Sequence, residues 1–219
     1  MDIETWLAER RLGVTGSDIS VLMGVNPFKK TDDLILDKLG IGRKFEGNAA
    51  TRAGQILEPI VAKCWAERNN KEITQGVFMK HSDHERFIGT PDFIGDNFGL
   101  EIKTGVEKGY MKGCPLYYEY QARWYMMLKD MPEWHLTACI VPKNRDEIGL
   151  ENGEEYLTEW VKNQPHREFL FVRNLELEDQ MKAKAQEFLE RMDSLRQPRQ
   201  GLDWLEASGR FSGGSVPRS

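Results

Sequence analysis

Two carboxylates and an amine fall within the stretch Gly89-Thr-Pro-Asp-Phe-Ile-Gly-Asp-Asn-Phe-Gly-Leu-Glu-Ile-Lys103. Gly95-Asp96-Asn97 suits a tight turn between two strand-like pieces. A turn on Asp96 and Asn97 sets Gly95 against Phe98, Ile94 against Gly99, Phe93 against Leu100 and Asp92 against Glu101. Directly opposed side chains have Cβ atoms about 4.5–5.5 Å apart. Two carboxylates so placed repel each other unless a cation lies between them. Hard oxygen ligands with no cysteine or histidine at ligand spacing select Mg²⁺, with Mn²⁺ as its substitute. Lys103 lies two residues from Glu101 and leaves the same face of the strand, while Ile102 and Leu100 point the other way. The chemistry that such a patch can do is phosphodiester hydrolysis. A cation polarises the phosphate and acidifies water; the lysine orients that water or offsets charge in the transition state. The Ile102 carbonyl is a candidate backbone ligand. The competing reading is an aspartate at a strand end and a solvated Glu/Lys pair.

Helices must carry the rest. Ile3–Arg11 reads as a short helix leading through Gly13–Gly16 into a second one, with Ser17 or Asp18 as its cap and a stop near Gly24 and Asn26-Pro27. A third spans Thr31–Leu39. From Ala49 to Asn69, Ala53, Ile56, Leu57, Ile60, Val61, Cys64 and Trp65 form a buried stripe at helical spacing, with Glu58 at its edge. Strands are expected at Ile73–Lys80, Arg86–Ile94 and Phe98–Thr104. A helix over Leu116–Lys129, a strand over His135–Val141, a helix over Gly153–Asn163 and a strand over Glu168–Val172 follow. A last amphipathic helix carries Leu177, Met181, Ala185, Phe188, Leu189, Met192 and Leu195.

Pro91-Asp92 with Glu101-Ile102-Lys103 resembles the PD-(D/E)xK nuclease signature. Around it, Gly54-Gln-Ile-Leu-Glu-Pro59 is similar to the glutamate-bearing helix of the lambda-exonuclease and YqaJ-like viral recombinase family. That resemblance makes Glu58 a further metal ligand. Gln121 and Tyr125 share one helical face and match the QxxxY spacing of RecB-like nucleases, as support for the site or as contacts to the scissile strand. Glu9-Arg-Arg-Leu-Gly-Val-Thr-Gly-Ser-Asp18 resembles the family's opening block, in which an arginine and a serine hold the terminal phosphate. Here Arg10 is favoured and Arg11 kept, together with Ser17, since a hydroxyl at a helix start and a planar guanidinium both suit an anion. Arg123 departs from the second glutamine that many relatives carry.

The resemblance, which runs in order from Arg10 to Arg196, implies an α/β fold with a restriction-endonuclease-like core: a central mixed sheet flanked by helices. It implies 5′→3′ digestion of double-stranded DNA from its ends, leaving 3′ single-stranded tails. A single-strand annealing protein as partner and a homotrimer threaded by DNA come with it, in a phage or prophage setting. Two rivals keep the same residues: an endonuclease or nickase on this fold, and a DNA- or protein-binding module with no activity.

Composition bounds these readings loosely. The 219 residues fit one domain over 1–198 with a flexible tail over 199–219. No apolar run is long enough to span a bilayer. Charged residues occupy Met1–Arg11 where a leader would need an apolar core, so a cytoplasmic location in a bacterial host cell is expected. The net charge of −5 argues against a generally basic nucleic-acid binder, leaving a local cationic groove. Cys64, Cys114 and Cys139 lack any disulfide or cluster spacing and read as small buried hydrophobes. His81 and His84 read as surface residues, Lys29, Lys30, Arg43 and Lys44 as a solvated face, and Trp6, Phe28 and Phe45 as core rather than wedges against DNA.

Overall fold

The computed structural model describes residues 2–42 and 47–197. The expected tail, and the roles of Arg43, Lys44 and Phe45, lie outside the described residues. Four helices come first: α1 (Ile3–Leu12), α2 (Gly16–Leu22), α3 (Thr31–Lys38) and α4 (Ala49–Asn69). Four short strands follow, β1 (Thr74–Gln75), β2 (Met79–Lys80), β3 (Ile88–Gly89) and β4 (Phe93–Ile94), and then the long β5 (Phe98–Gly105). The chain continues as α5 (Leu116–Lys129), β6 (Glu133–Ile140), α6 (Glu154–Lys162), β7 (His166–Val172) and α7 (Leu175–Arg196).

The main sheet runs β1-β4-β5-β6-β7, and β2 pairs with β3 beside it. β5 and β6 are parallel, joined through α5, whereas β1, β4 and β7 add antiparallel neighbours. The sheet is therefore mixed, as the α/β expectation requires, with helices on both faces.

Period-two alternation along β6 serves both faces. Trp134, Leu136, Ala138 and Ile140 enter one core with α2, α5 and α7. Cys139 enters the other, with Phe98, Leu100 and Ile102 of β5 and the α4 stripe of Ala53, Leu57, Ile60, Val61, Cys64 and Trp65. Full burial of a large apolar side chain contributes about 1.5–3 kcal/mol, so α4 is fixed on β5 by several such contacts. Gly99 is required here: a Cβ on it would stand 2.3 Å from the Trp134 ring. Cys64 and Cys139 are buried free thiols, as expected, and Cys114 is half-buried.

Two expectations need correction. The strands proposed over Ile73–Lys80 and Arg86–Ile94 are each broken into two-residue pieces. In the second, Pro91 has no N–H for a ladder, and the chain diverges at Thr90-Pro91-Asp92. The cap of α2 is Thr15, not Ser17 or Asp18. Asp18 instead sits one turn in and accepts the Thr15 N–H at 2.9 Å.

Candidate active site

The hairpin has the register read from its turn. Phe93 pairs with Leu100 and Ile94 with Gly99, and the Gly95 N–H donates to the Phe98 carbonyl at 2.9 Å. Two residues further along, the ladder would bring Pro91 to Ile102. The Asp92 carboxylate takes that place and accepts the Ile102 N–H at 2.8 Å. Asp92 is thus tied to the backbone between Glu101 and Lys103.

Glu101 is 1% exposed, which removes the solvated-face reading. Its Oε1 accepts from the Lys103 ammonium at 2.5 Å and from the Gln121 amide at 2.7 Å. Its Oε2 is buried with no partner. A buried carboxylate oxygen left so is costly unless something positive reaches it. Lys103 also lies 5.1 Å from the centre of the Tyr118 ring. Gln121 meets the Tyr125 hydroxyl at 3.2 Å. Tyr125 is 5% exposed, and added Cβ atoms on Gly16 and Gly89 would stand 2.8 and 2.7 Å from its ring. Tyr125 is thus packed into the core beneath Gln121.

Glu58, half-buried on α4, completes the acidic group. Burial, then the charge of Asp92, pushes its carboxyl up to about 7 against the pull of Lys103. Glu101 is pushed up to about 8 by burial and by Asp92, again against Lys103. Asp92 is raised by burial, with Lys103 and the Ile102 N–H opposing. Burial disfavours the Lys103 charge, but Glu101 and Asp92 outweigh it and hold the ammonium well above its ordinary range. One ammonium is set against three carboxylates. Among the described residues, no three Asp, Glu, His or Cys side chains are arranged to hold a metal ion as they stand. Glu101 Oε1 is occupied by Lys103 and Gln121, and the unpartnered Oε2 is the atom free to take a cation.

The geometry can be set beside known proteins. The model of the YqaJ-like viral recombinase domain matches residues 5–132. The chain belongs to that family. It is 34% identical over 108 residues to the uncharacterized protein YqaJ of Bacillus subtilis (strain 168), covering 48% of this chain and 34% of that protein. It spans about a third or less of the length of the curated relatives it matches. Its fold is similar to the alkaline exonuclease LHK-Exo from Laribacter hongkongensis, with a TM-score of 0.67 at 17% identity over 94% of this chain and 98% of that one. A phage related exonuclease from Haemophilus somnus 129PT matches with a TM-score of 0.61 at 18% identity over 85% and 97%. The fold is that of the PD-(D/E)xK type.

In this YqaJ-like domain the two candidate arginines are placed differently. The Arg10 guanidinium lies 4.6 Å from the Trp6 ring centre. The Trp6 indole N–H reaches the Thr90 hydroxyl at 3.3 Å, one residue before Pro91-Asp92. Arg11 is exposed, and its carbonyl accepts from Arg196 at 2.7 Å. Arg10 is therefore on the hairpin side. Ser17 is exposed beside Gly16, with its hydroxyl 3.0 Å from that of Thr15. Arg123 pairs with Glu119 at 2.8 Å and donates to the Val172 carbonyl at 2.8 Å, which docks α5 on β7. His84 is exposed and stacks on Phe87, with the half-buried His81 next to it. Lys29 pairs with Asp37.

Sequence reasoning missed Lys38. Its buried ammonium donates to Asp18 at 2.6 Å, to the Gly13 carbonyl at 2.8 Å and to the Arg10 carbonyl at 2.5 Å. A signal was present: Lys38 lies four and three residues after the buried Leu34 and Ile35, so it shares their face of α3.

The raised carboxyls set a pH dependence. A carboxyl protonated in the folded state but ionised in the unfolded chain makes stability fall as pH rises from the unfolded to the folded value. His81, His135 and His166 are lowered by burial and act with the opposite sign, but only below about 6.5. Between about pH 6.5 and 8 the metal-free protein is therefore expected to lose thermal stability through Glu58 and Glu101. Glu101→Gln should flatten that slope. Melting curves in EDTA across this window check it; a slope that the variant leaves unchanged would contradict the assignment.

Proposed function

We propose that this domain is a metal-dependent deoxyribonuclease acting 5′→3′ from the ends of double-stranded DNA and leaving 3′ single-stranded tails. The observation that carries the reading is the buried Glu101. It is bonded to Lys103 and Gln121 on one oxygen and is without a partner on the other. Beside it are Asp92, whose carboxyl burial pushes up, and Glu58, whose carboxyl is pushed up by burial and by the charge of Asp92. Such a group fits a hard divalent cation, Mg²⁺ or in its place Mn²⁺. Asp92, Glu101 and Glu58 would hold it, with the Ile102 carbonyl as a backbone ligand. When bound, the ion supplies positive charge against the scissile phosphate and acidifies water.

The chain's own residues do the remainder. Lys103 orients the attacking water and offsets charge that develops on the phosphate. Gln121 fixes the orientation of Glu101, and Tyr125 fixes Gln121. Arg10 and Ser17 receive the terminal phosphate, with Arg11 in reserve. Membership of a viral recombinase family supports action in recombination, and the likeness to an alkaline exonuclease and a phage related exonuclease supports exonuclease chemistry. The phage setting, the cytoplasmic location, the annealing-protein partner and the homotrimer belong to the same proposal. The test compares linear duplexes with 5′-phosphate or 5′-hydroxyl ends and a covalently closed circle, all with Mg²⁺. Loss from linear ends with the circle intact is expected. Cutting of the circle would replace the exonuclease with an endonuclease on the same residues.

A further inference from the structure

Phe28 is 80% exposed, the highest exposure of any large apolar side chain among the described residues, whereas the sequence suggested a core residue. Its loop is held from below. The Phe28 and Lys29 N–H groups donate to Asn26 Oδ1 at 2.9 and 3.1 Å. The Asn26 amide donates to Ser20 Oγ at 3.0 Å, and the Ser20 hydroxyl to the Ser17 carbonyl at 2.9 Å. Pro27 fixes its own φ within the turn. A ring on so constrained a support is presented to solvent at little further loss of entropy.

The ring does not stand alone. It meets Tyr117 edge-to-face, with centroids 5.5 Å apart and planes at 79°. Tyr117 lies 4.3 Å from Tyr118, and the Tyr118 ring centre is 5.1 Å from the Lys103 ammonium. Three rings thus lead from the surface to the amine of the candidate active site. Lys30, exposed two residues after Phe28, adds positive charge at the outer end. Aromatic surface continuous with cationic groups is what a single nucleic-acid strand requires, since every base offers a flat apolar face and every linkage a negative charge.

We propose that Phe28, backed by Tyr117, is a stacking subsite for an unpaired nucleobase of the strand whose phosphate reaches Lys103; this rests on the nuclease reading. Stacking of one base on one aromatic side chain changes affinity on the order of tenfold. The test uses single-stranded oligonucleotides carrying 2-aminopurine at successive positions, bound in EDTA so that no cleavage intervenes. Wild type should quench the fluorophore at one position. Phe28→Ala should lose that quenching and bind about tenfold more weakly, with an unchanged melting temperature because the ring is mostly solvated. Phe28→Trp should restore both. Leu175→Ala, which trims another exposed apolar side chain, serves as control and should bind as wild type does.

Equal binding and quenching by wild type and Phe28→Ala would overturn the subsite, as would a control that loses as much. Cleavage by wild type with Mg²⁺ is scored separately. Phe28-dependent quenching without any cleavage would sink the nuclease reading and leave the subsite standing. Cleavage with no Phe28 dependence of binding would sink the subsite alone. Failure to bind any oligonucleotide would remove the subsite and leave the nuclease reading to the cleavage assay.

Discussion

Lys103→Ala is expected to lower DNA cleavage on the order of 10³-fold while the protein stays folded, because the ammonium acts where charge develops on the phosphate. Two effects compete in this variant. Removing the ammonium takes away the only cation within hydrogen-bond distance of Glu101 among the described residues. That would be severe if Glu101 had to remain ionised. Its carboxyl already stands at about 8, so protonation relieves the loss near neutral pH. Gln121 remains as a hydrogen-bond partner at 2.7 Å. Activity should therefore collapse far more than stability. Lys103→Arg keeps the charge but replaces a compact ammonium with a planar fork, and it should not restore the rate. Initial rates with Mg²⁺ beside melting curves in EDTA separate the two effects. An alanine variant that is folded and cleaves within about threefold of wild type would remove Lys103 from the chemistry.

The second large effect lies outside the acidic group. Lys38→Met should destabilise the domain by about 3–5 kcal/mol, because it leaves the buried Asp18 carboxylate without its ammonium. Burial works against the Asp18 charge, but Lys38 and the donors of Thr15 outweigh it and hold the carboxyl below its ordinary range. The same ammonium ties the end of α1, through the Arg10 and Gly13 carbonyls, to the start of α2. For a domain of this size the loss corresponds to a fall in melting temperature on the order of 10 °C. The double variant Asp18→Asn with Lys38→Met should recover much of it, since no lone charge is then buried. Thermal melts of wild type, the single variant and the double variant check this. A single variant within about 1 kcal/mol of wild type would mean that water reaches Asp18 readily.

Those two sites differ in how far the sequence revealed them. The hairpin was legible because its information is local: Asp96-Asn97 sets the turn, and alternation sets which side chains share a face. That is enough to place Asp92 against Glu101 and to separate Lys103 from Ile102. The α4 stripe was legible for the same reason, with Ala49–Asn69 found at the bounds that its pattern gave. The Asp18–Lys38 pair joins residues 20 positions apart, and its local signs, an aspartate in a first helical turn and a lysine on an apolar face, name no partner. The broken strands around Pro91 show local chemistry misjudged: proline ends the ladder, and a side-chain carboxylate replaces the missing backbone partner. Phe28 is the reverse case. Its apolarity suggested core, and only the tertiary structure shows the ring turned outward beside Tyr117.

The most direct measurement of the central claim is a time course of the folded wild-type protein on linear duplex DNA, labelled separately at the 5′ and 3′ ends, with Mg²⁺ and with EDTA. Loss of the 5′ label with Mg²⁺, and no loss in EDTA, is the expected result. Intact DNA in both conditions would contradict it.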